Sequence, residues 1–205
     1  MTVIGITGGS GAGKGLVCEI LEKQGIHSID TDRVSREISG RGSPCLAELT
    51  QAFGTDILTE AGELNRGKLA ERVFMEPNAE ERVRLLDILN RITHKHILSA
   101  CEAWLEERGR EGDTAAAVDA PLLFESGFDA RCDCIWGVTA SPEVRIQRII
   151  QRDCISEEMA RNRIASQHTD EFLYQRCNAV IHNNGTRAET EKQVVSLLAR
   201  CLNRA

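Results

Sequence analysis

The chain has 205 residues and a mass of 22.6 kDa, enough for one domain with an inserted sub-domain and for a core that needs no disulfide staples. Hydrophobic residues make up 41% and charged residues 27%, which excludes disorder and coiled coil as whole-chain descriptions. Thirty-one acidic against twenty-five basic side chains give a net charge of −6, the wrong sign for a protein that coats nucleic acid. No window approaches the roughly 18 unbroken apolar residues of a membrane span. The start, Met1-Thr2-Val3-Ile4-Gly5, has no basic and apolar leader, so a cytoplasmic protein is expected. Eight scattered cysteines, Cys18, Cys101, Cys134, Cys177 and Cys201 among them, then read as reduced thiols. The close pair Cys132 and Cys134 lacks the second pair that a zinc site needs.

In chain order, Val3-Ile4-Gly5-Ile6 is an apolar run that ends in a glycine cluster, which suits a first strand. From about Gly13 the pattern turns helical through Leu16, Val17, Ile20 and Leu21, and Gln24-Gly25 ends it. Ile26 to Ile29 reads as a second strand, parallel to the first, closed by Asp30-Thr31-Asp32. About eighty mostly helical residues follow: Leu46 to Phe53, Lys68 to Phe74 and a long helix from Asn78 to Arg108. An insertion of that size reads as a helical sub-domain that supplies a second wall for a cleft. Ala116–Asp119, Cys134–Val138 and Ala179–Ile181 are further strands. Helices from Pro142 to Arg152, Ser156 to Ser166 and Arg187 to Leu202 separate or follow them, the first two with serine caps.

Gly8-Gly9-Ser10-Gly11-Ala12-Gly13-Lys14 fills the first seven positions of G-x-x-x-x-G-K-[ST], placed between a strand and a helix. Successive backbone N–H groups must turn inward around phosphate oxygens there, and side chains would obstruct that approach. Lys14 adds a point charge and the following helix presents its N-terminus to the anion. Gly15 stands where a hydroxyl normally reaches magnesium, and Leu16 offers none. Weakened magnesium handling is the expected consequence, since that ion keeps waters and phosphate ligands. The alternative dinucleotide motif fails because lysine or leucine occupies the place of its third glycine.

Asp32, near the carboxyl end of the second strand, is the favoured proton acceptor, with a helix cap as the other role for an acid here. Twenty arginines against five lysines favour forked phosphate contacts. Arg145, Arg148 and Arg152 share one helical face and Arg161 and Arg163 follow, a candidate lid that neutralises transferred charge. His94 and His96, two apart on a helix, cannot jointly hold a metal. Asp119 follows a strand, where an acid orients magnesium through water. Leu122-Leu123-Phe124 reads equally as core or as an apolar wall.

Together these segments resemble the dephospho-CoA kinase family over nearly the whole chain. The likeness runs through Ile6 to Lys14, Ile29-Asp30-Thr31-Asp32 with Arg36, and Gly62-Glu63-Leu64-Asn65-Arg66 with Leu69. It continues through Val73-Phe74, Ile92-Thr93-His94, Pro121-Leu122-Leu123-Phe124-Glu125, Gln151-Arg152-Asp153 and Asn183-Asn184-Gly185. The resemblance implies an α/β, P-loop NTPase-like fold: a five-stranded parallel sheet with helices on both faces, a helical acceptor-binding insert and a lid. The core is expected at about 1–35, 114–140 and 176–205, the insert at about 36–112 and the lid at about 141–175. The implied activity moves the γ-phosphoryl group of ATP, with Mg2+, to the ribose 3′-hydroxyl of dephospho-CoA. No nucleic-acid or membrane partner is implied.

On the family's pattern, Asp32 would be the base, with Lys14 and Arg148 as catalytic cations. Gly8, Gly9, Gly11, Ala12, Gly13, Lys14, Gly15, Leu16, Arg152, Asn183 and Gly185 would hold ATP. Arg36, Leu122, Leu123, Phe124 and Glu125 would join Asp32 around the acceptor. Gly15-Leu16 departs from the Ser-Thr expected there. Two rival readings are a nucleoside or nucleotide kinase, and a regulatory nucleotide-binding protein with impaired catalysis.

Overall fold

The structure, a computed structural model, describes residues 1–203. β1 (Thr2–Thr7) lies at the centre of a parallel sheet, between β3 (Ala115–Asp119) and β4 (Cys134–Thr139). β2 (His27–Asp30) extends the sheet beyond β3, and β5 (Ala179–His182) extends it beyond β4. The order is β2-β3-β1-β4-β5.

Strands covered on both faces read as unbroken apolar runs, and these do. Ile4, Ile6, Ala115, Ala117, Trp136 and Val138 pack with Val17, Ile20 and Leu21 of α1 (Lys14–Lys23) and Val194 and Leu198 of α9 (Arg187–Leu202). The alternate residues face the other layer, where two glycines make room. A Cβ on Gly5 would stand 2.7 Å from Cys132 Sγ and 3.1 Å from Leu123 Cδ2. A Cβ on Gly137 would stand 3.1 Å from Cys177 Sγ and 3.2 Å from Leu173 Cβ, at the end of α8 (Asp170–Arg176). Helices thus cover both faces, an α/β fold as the sequence predicts.

The chain divides into two compact units: the sheet with its helices, from residues 1–30 and from Glu107 onward, and a helical unit, Thr31–Glu106. The sheet unit also contains α6 (Pro142–Asp153) and α7 (Glu157–Ala165), which share a small core of Ile146, Ile149 and Ala160. The helical unit contains α2 (Thr31–Ile38), α3 (Pro44–Phe53) and α4 (Arg66–Phe74), and α5 (Ala79–Arg110) begins in it. Its core gathers Leu49, Phe53, Ile57, Val73 and Leu85. Ser43 and Asn65 cap α3 and α4 by accepting from Leu46 N at 3.1 Å and Lys68 N at 3.0 Å. His96 Nε2 lies 3.1 Å from Glu48 Oε1, a polar contact within this unit.

Two sequence expectations are corrected here. β2 ends at Asp30, and Thr31 and Asp32 already belong to α2, whose apolar residues Val34 and Ile38 begin only after them. The cysteines are not all thiols: Cys134, at the start of β4, and Cys201, in the last turn of α9, form a disulfide with Cα atoms 6.8 Å apart. They lie 67 residues apart in sequence, so only the docking of α9 onto the sheet brings them together. Cys18, Cys45, Cys101, Cys132, Cys154 and Cys177 are free thiols. Burial raises the pKa of Cys101 to about 11 and that of Cys132 to about 12, so both are poor nucleophiles.

Candidate active site

The glycine loop leaves β1 and enters α1, and its backbone explains its composition. Gly8, Gly11 and Gly13 have φ of 147°, 76° and 100°, a region that opposes a side chain. At Gly8 a Cβ would also run into the carbonyl oxygen of Val138. Lys14 Nζ donates to Gly8 O at 3.0 Å, and Ala12 N donates back to Gly9 O at 3.2 Å. α3, α4, α6, α7, α8 and α9 all begin with a Ser, Thr or Asn side-chain cap. α1 begins instead at left-handed Gly13, with no side-chain cap and no acid in its first turn. Its leading N–H groups and positive dipole end are therefore left to an anion.

Four side chains grip the loop from outside. Arg145 Nε donates to Ser10 O at 3.0 Å. Arg148 Nη1 donates to Gly11 O at 3.2 Å, and its Nη2 donates to Asn183 O at 3.0 Å. Asn183 Nδ2 donates to Ala12 O at 2.8 Å, and Asn183 Oδ1 accepts from Thr190 Oγ1 at 3.0 Å. Gln167 Oε1 accepts from Ser10 N at 2.9 Å and from Arg145 Nη2 at 2.8 Å, while its Nε2 donates to Ser10 Oγ at 3.0 Å.

Because a trans peptide points its C=O and N–H in opposite directions, carbonyls held outward turn the next amides the other way. The grips on Ser10 O and Ala12 O therefore set the Gly11 and Gly13 amides for a ligand before any ligand arrives. Such preorganisation is what an oxyanion receptor requires. Arg145 is buried, which lowers its pKa, and nearby Asp170 opposes that shift. The cation bonds one loop carbonyl, that of Ser10, and the Gln167 carboxamide.

Beyond this ring, Arg152 is paired with Asp153, Nε to Oδ1 at 2.7 Å and Nη2 to Oδ2 at 3.0 Å, and Arg163 bonds the same carboxylate. These two guanidiniums, Arg152 first, bring the Asp153 pKa down to about 2. Arg161 pairs with Glu157 on α7. Gly185 sits where a Cβ would strike the Glu189 carboxylate, which closes the capping box of α9 on Thr186. In the segment after β3, Leu123 is fully buried and Leu122 exposed, so the apolar run splits between interior and surface. Phe124 meets the Phe172 ring edge-on at 5.3 Å, with the Arg176 guanidinium 4.7 Å over Phe124. Glu125 Oε1 lies 2.8 Å from His168 Nε2.

Asp119 pairs in register with Ile6 at the end of β1, two residues before the loop opens, and the Cys18 thiol lies 3.9 Å from its Oδ2. Burial, then Asp119, pushes the Cys18 thiol pKa up, so this cysteine stays protonated. In the helical unit, Asp32 occupies the first turn of α2 and Arg36 its last. Arg66 Nη2 donates to Ser39 Oγ at 2.7 Å, and Ser39 Oγ in turn donates to Ser35 O at 2.7 Å, which fastens the end of α2 that carries Arg36.

The sequence reading did not single out Gln167, His168, Asp170 or Thr139. Asp170 Oδ1 accepts from Thr139 Oγ1 at 2.6 Å, which ties α8 to β4. These are single polar residues near helix ends, with no periodicity or spacing to mark them.

Comparison with known proteins decides what kind of phosphate loop this is. The family model for dephospho-CoA kinase (CoaE) matches residues 2–189. The chain belongs to the dephospho-CoA kinase family. The dephospho-CoA kinase of Syntrophotalea carbinolica is 39% identical to it, over 98% of this chain and 92% of that protein. That of Corynebacterium glutamicum is 37% identical over 100% and 99%. The solved dephospho-CoA kinase of Campylobacter jejuni superposes with a TM-score of 0.69 at 25% identity, covering 98% and 97% of the two chains. Gly15 stands where the general phosphate-loop pattern has Ser or Thr, and nothing lies within 4 Å of where its Cβ would stand. Its φ is outside the left-handed region, so a side chain fits there without strain.

Proposed function

We propose that this chain transfers the γ-phosphoryl group of ATP to the ribose 3′-hydroxyl of dephospho-CoA, yielding ADP and coenzyme A. The observation that carries this reading is a preorganised phosphate loop in a chain that matches the dephospho-CoA kinase family along nearly its whole length. Phosphoryl transfer asks a protein for in-line positioning, charge neutralisation and proton acceptance, with little covalent work.

In this scheme the amides of Gly11, Gly13, Lys14 and Gly15 receive the phosphates, while Gly8, Gly9, Ala12 and Leu16 shape the loop, the amides of the last two bonding Gly9 O and Gly13 O. Lys14 exchanges the Gly8 carbonyl for phosphate oxygens. Arg148, which already touches the loop, is the cation nearest the transferred group. Arg152 adds charge at the outer end of α6, and Asn183 and Gly185 approach the adenine. Asp32 takes the proton of the attacking hydroxyl. Arg36 is assigned to binding the acceptor, as are Leu122, Leu123, Phe124 and Glu125. A cytoplasmic site of action belongs to the same proposal. Among the described residues no helix is long and apolar enough to cross a membrane.

Magnesium fits this site as an ion carried in on the triphosphate. Among the described residues no group of three His, Cys, Asp or Glu side chains forms a metal cage. Asp119 is the carboxylate placed beside the loop, and Gly15 supplies no hydroxyl. An octahedral ion that keeps its waters and phosphate oxygens suits so sparse a donor set. When bound, it would neutralise charge on the β- and γ-oxygens. Gly15→Ser should restore one ligand in open space. The expected result is a severalfold lower magnesium concentration for half-maximal activity, with unchanged thermal stability. An unchanged magnesium dependence would remove Gly15 from the metal's surroundings.

An acceptor panel tests the assignment. With ATP and magnesium, dephospho-CoA should be phosphorylated at least a hundredfold faster, in kcat/KM, than any nucleoside or nucleoside monophosphate. A nucleoside monophosphate that outruns dephospho-CoA would replace the reading with that of a nucleotide kinase. Tight ATP binding with no phosphorylated product would leave a nucleotide-binding protein.

A further inference from the structure

Ser10 is held at every polar group it has. Its carbonyl accepts from Arg145, its amide donates to Gln167 Oε1, and its hydroxyl accepts from Gln167 Nε2. Gln167 Oε1 also accepts from Arg145 Nη2, so one buried cation and one carboxamide close a ring around the loop residue. The flanking glycines belong to the same ring. A Cβ on Gly9 would come within 2.6 Å of Gln167 Oε1, and one on Gly11 within 2.6 Å of Arg145 O. Glycine at both positions is thus demanded by the groups pressing from outside as well as by phosphate within.

Gln167 is not on a helix. It follows α7 directly, with its own N–H bonded to Ile164 O at 3.1 Å. The next residue, His168, stacks on Phe172 of α8 with ring centroids 3.8 Å apart and pairs with Glu125 at 2.8 Å. Two consecutive side chains of one short segment therefore hold the phosphate loop and the segment after β3. We propose that Gln167 is a positioning residue for the nucleotide's phosphates, fixing Ser10 so that the amide-lined side of the loop is set when the α7–α8 segment is in place. This rests on the kinase reading for its ligand, a nucleoside triphosphate, but adds a residue and a coupling that reading does not contain.

The neutral carboxamide is the informative feature. In Gln167→Glu a carboxylate would still accept from Ser10 N and from Arg145, and Ser10 Oγ would donate where it now accepts. Every hydrogen bond of the ring survives, and a negative charge is set against the loop that must take a triphosphate. Gln167→Ala instead removes all three bonds.

Calorimetric titration of the full chain with ATP and, separately, with adenosine, beside thermal melting, separates the roles and needs no acceptor. Gln167→Glu should bind ATP at least tenfold more weakly, bind adenosine like the wild type, and melt within about 2 °C of it. In a separate steady-state assay with dephospho-CoA, Gln167→Ala should raise KM for ATP about tenfold with KM for dephospho-CoA unmoved. Two outcomes would overturn the proposal. One is wild-type ATP affinity in Gln167→Glu. The other is a loss of ATP and adenosine binding in parallel with a large fall in melting temperature, the mark of a role in folding alone. Wild-type protein that binds ATP in this way but leaves dephospho-CoA untouched would contradict the acceptor assignment without touching Gln167.

Discussion

Asp32→Asn is expected to bind ATP as the wild type does and to turn over about a hundredfold more slowly or worse. The ribose hydroxyl must lose a proton as it attacks phosphorus, and a positioned base contributes on the order of 10²–10⁴ to such a step. Asn keeps the size and planarity of the carboxylate and cannot accept that proton. Asp32 sits in the first turn of α2, two residues along the chain from the end of β2. An acid in a first helical turn also favours the positive end of the helix, a stabilising role worth a few tenths to about 1 kcal/mol. The two roles separate cleanly. Loss of the dipole contact lowers melting temperature slightly and leaves kcat alone, whereas loss of the base lowers kcat and leaves ATP affinity alone. Turnover at the wild-type rate would end the assignment.

Lys14→Ala should weaken ATP binding and turnover together, by about tenfold or more in each. The ammonium rests on Gly8 O at 3.0 Å, across the opening of the loop. A hydrogen bond to a charged group is worth roughly 1.5–3 kcal/mol, and each 1.4 kcal/mol is a factor of ten. The same contact serves the bound nucleotide and the migrating phosphoryl group, so affinity and rate should fall in one variant. Lys14→Arg should not rescue it, because the planar fork is too wide to replace a point charge inside so tight a loop. A variant that binds ATP normally would place the phosphates elsewhere.

Much of the architecture was legible because it follows from local chemistry. The five apolar runs became the five strands, and Ser141-Pro142 and Ser156 became caps at the starts of α6 and α7. The helix after β2 was anticipated only through a possible cap, and its start at Thr31 was misplaced because its eight residues are mostly polar, with Val34 the one buried side chain. α8 stayed hidden for its brevity, seven residues that gain their place from packing on β4 and β5. The disulfide was misread because composition speaks only to compartment, and 67 residues of chain separate its ends.

At the site, glycines and lysine announced themselves by spacing, and the arginines by their helical face. What they touch was not legible. Arg145 and Arg148 form one stripe on α6, yet both grip loop carbonyls, because the loop's outer surface presents acceptors at that distance. Gln167 carried no signal, since a lone glutamine beyond a helix end resembles any solvated residue.

Carbonyls held outward leave the loop's inward amides ready for a triphosphate. Amide nitrogen-15 spectra of the protein titrated with a non-hydrolysable ATP analogue test it most directly. The predicted result is that the Gly11, Gly13, Lys14 and Gly15 resonances move downfield with one shared affinity. Adenosine should leave those four in place. Saturable nucleotide binding that left all four unmoved while amides elsewhere shifted would contradict it.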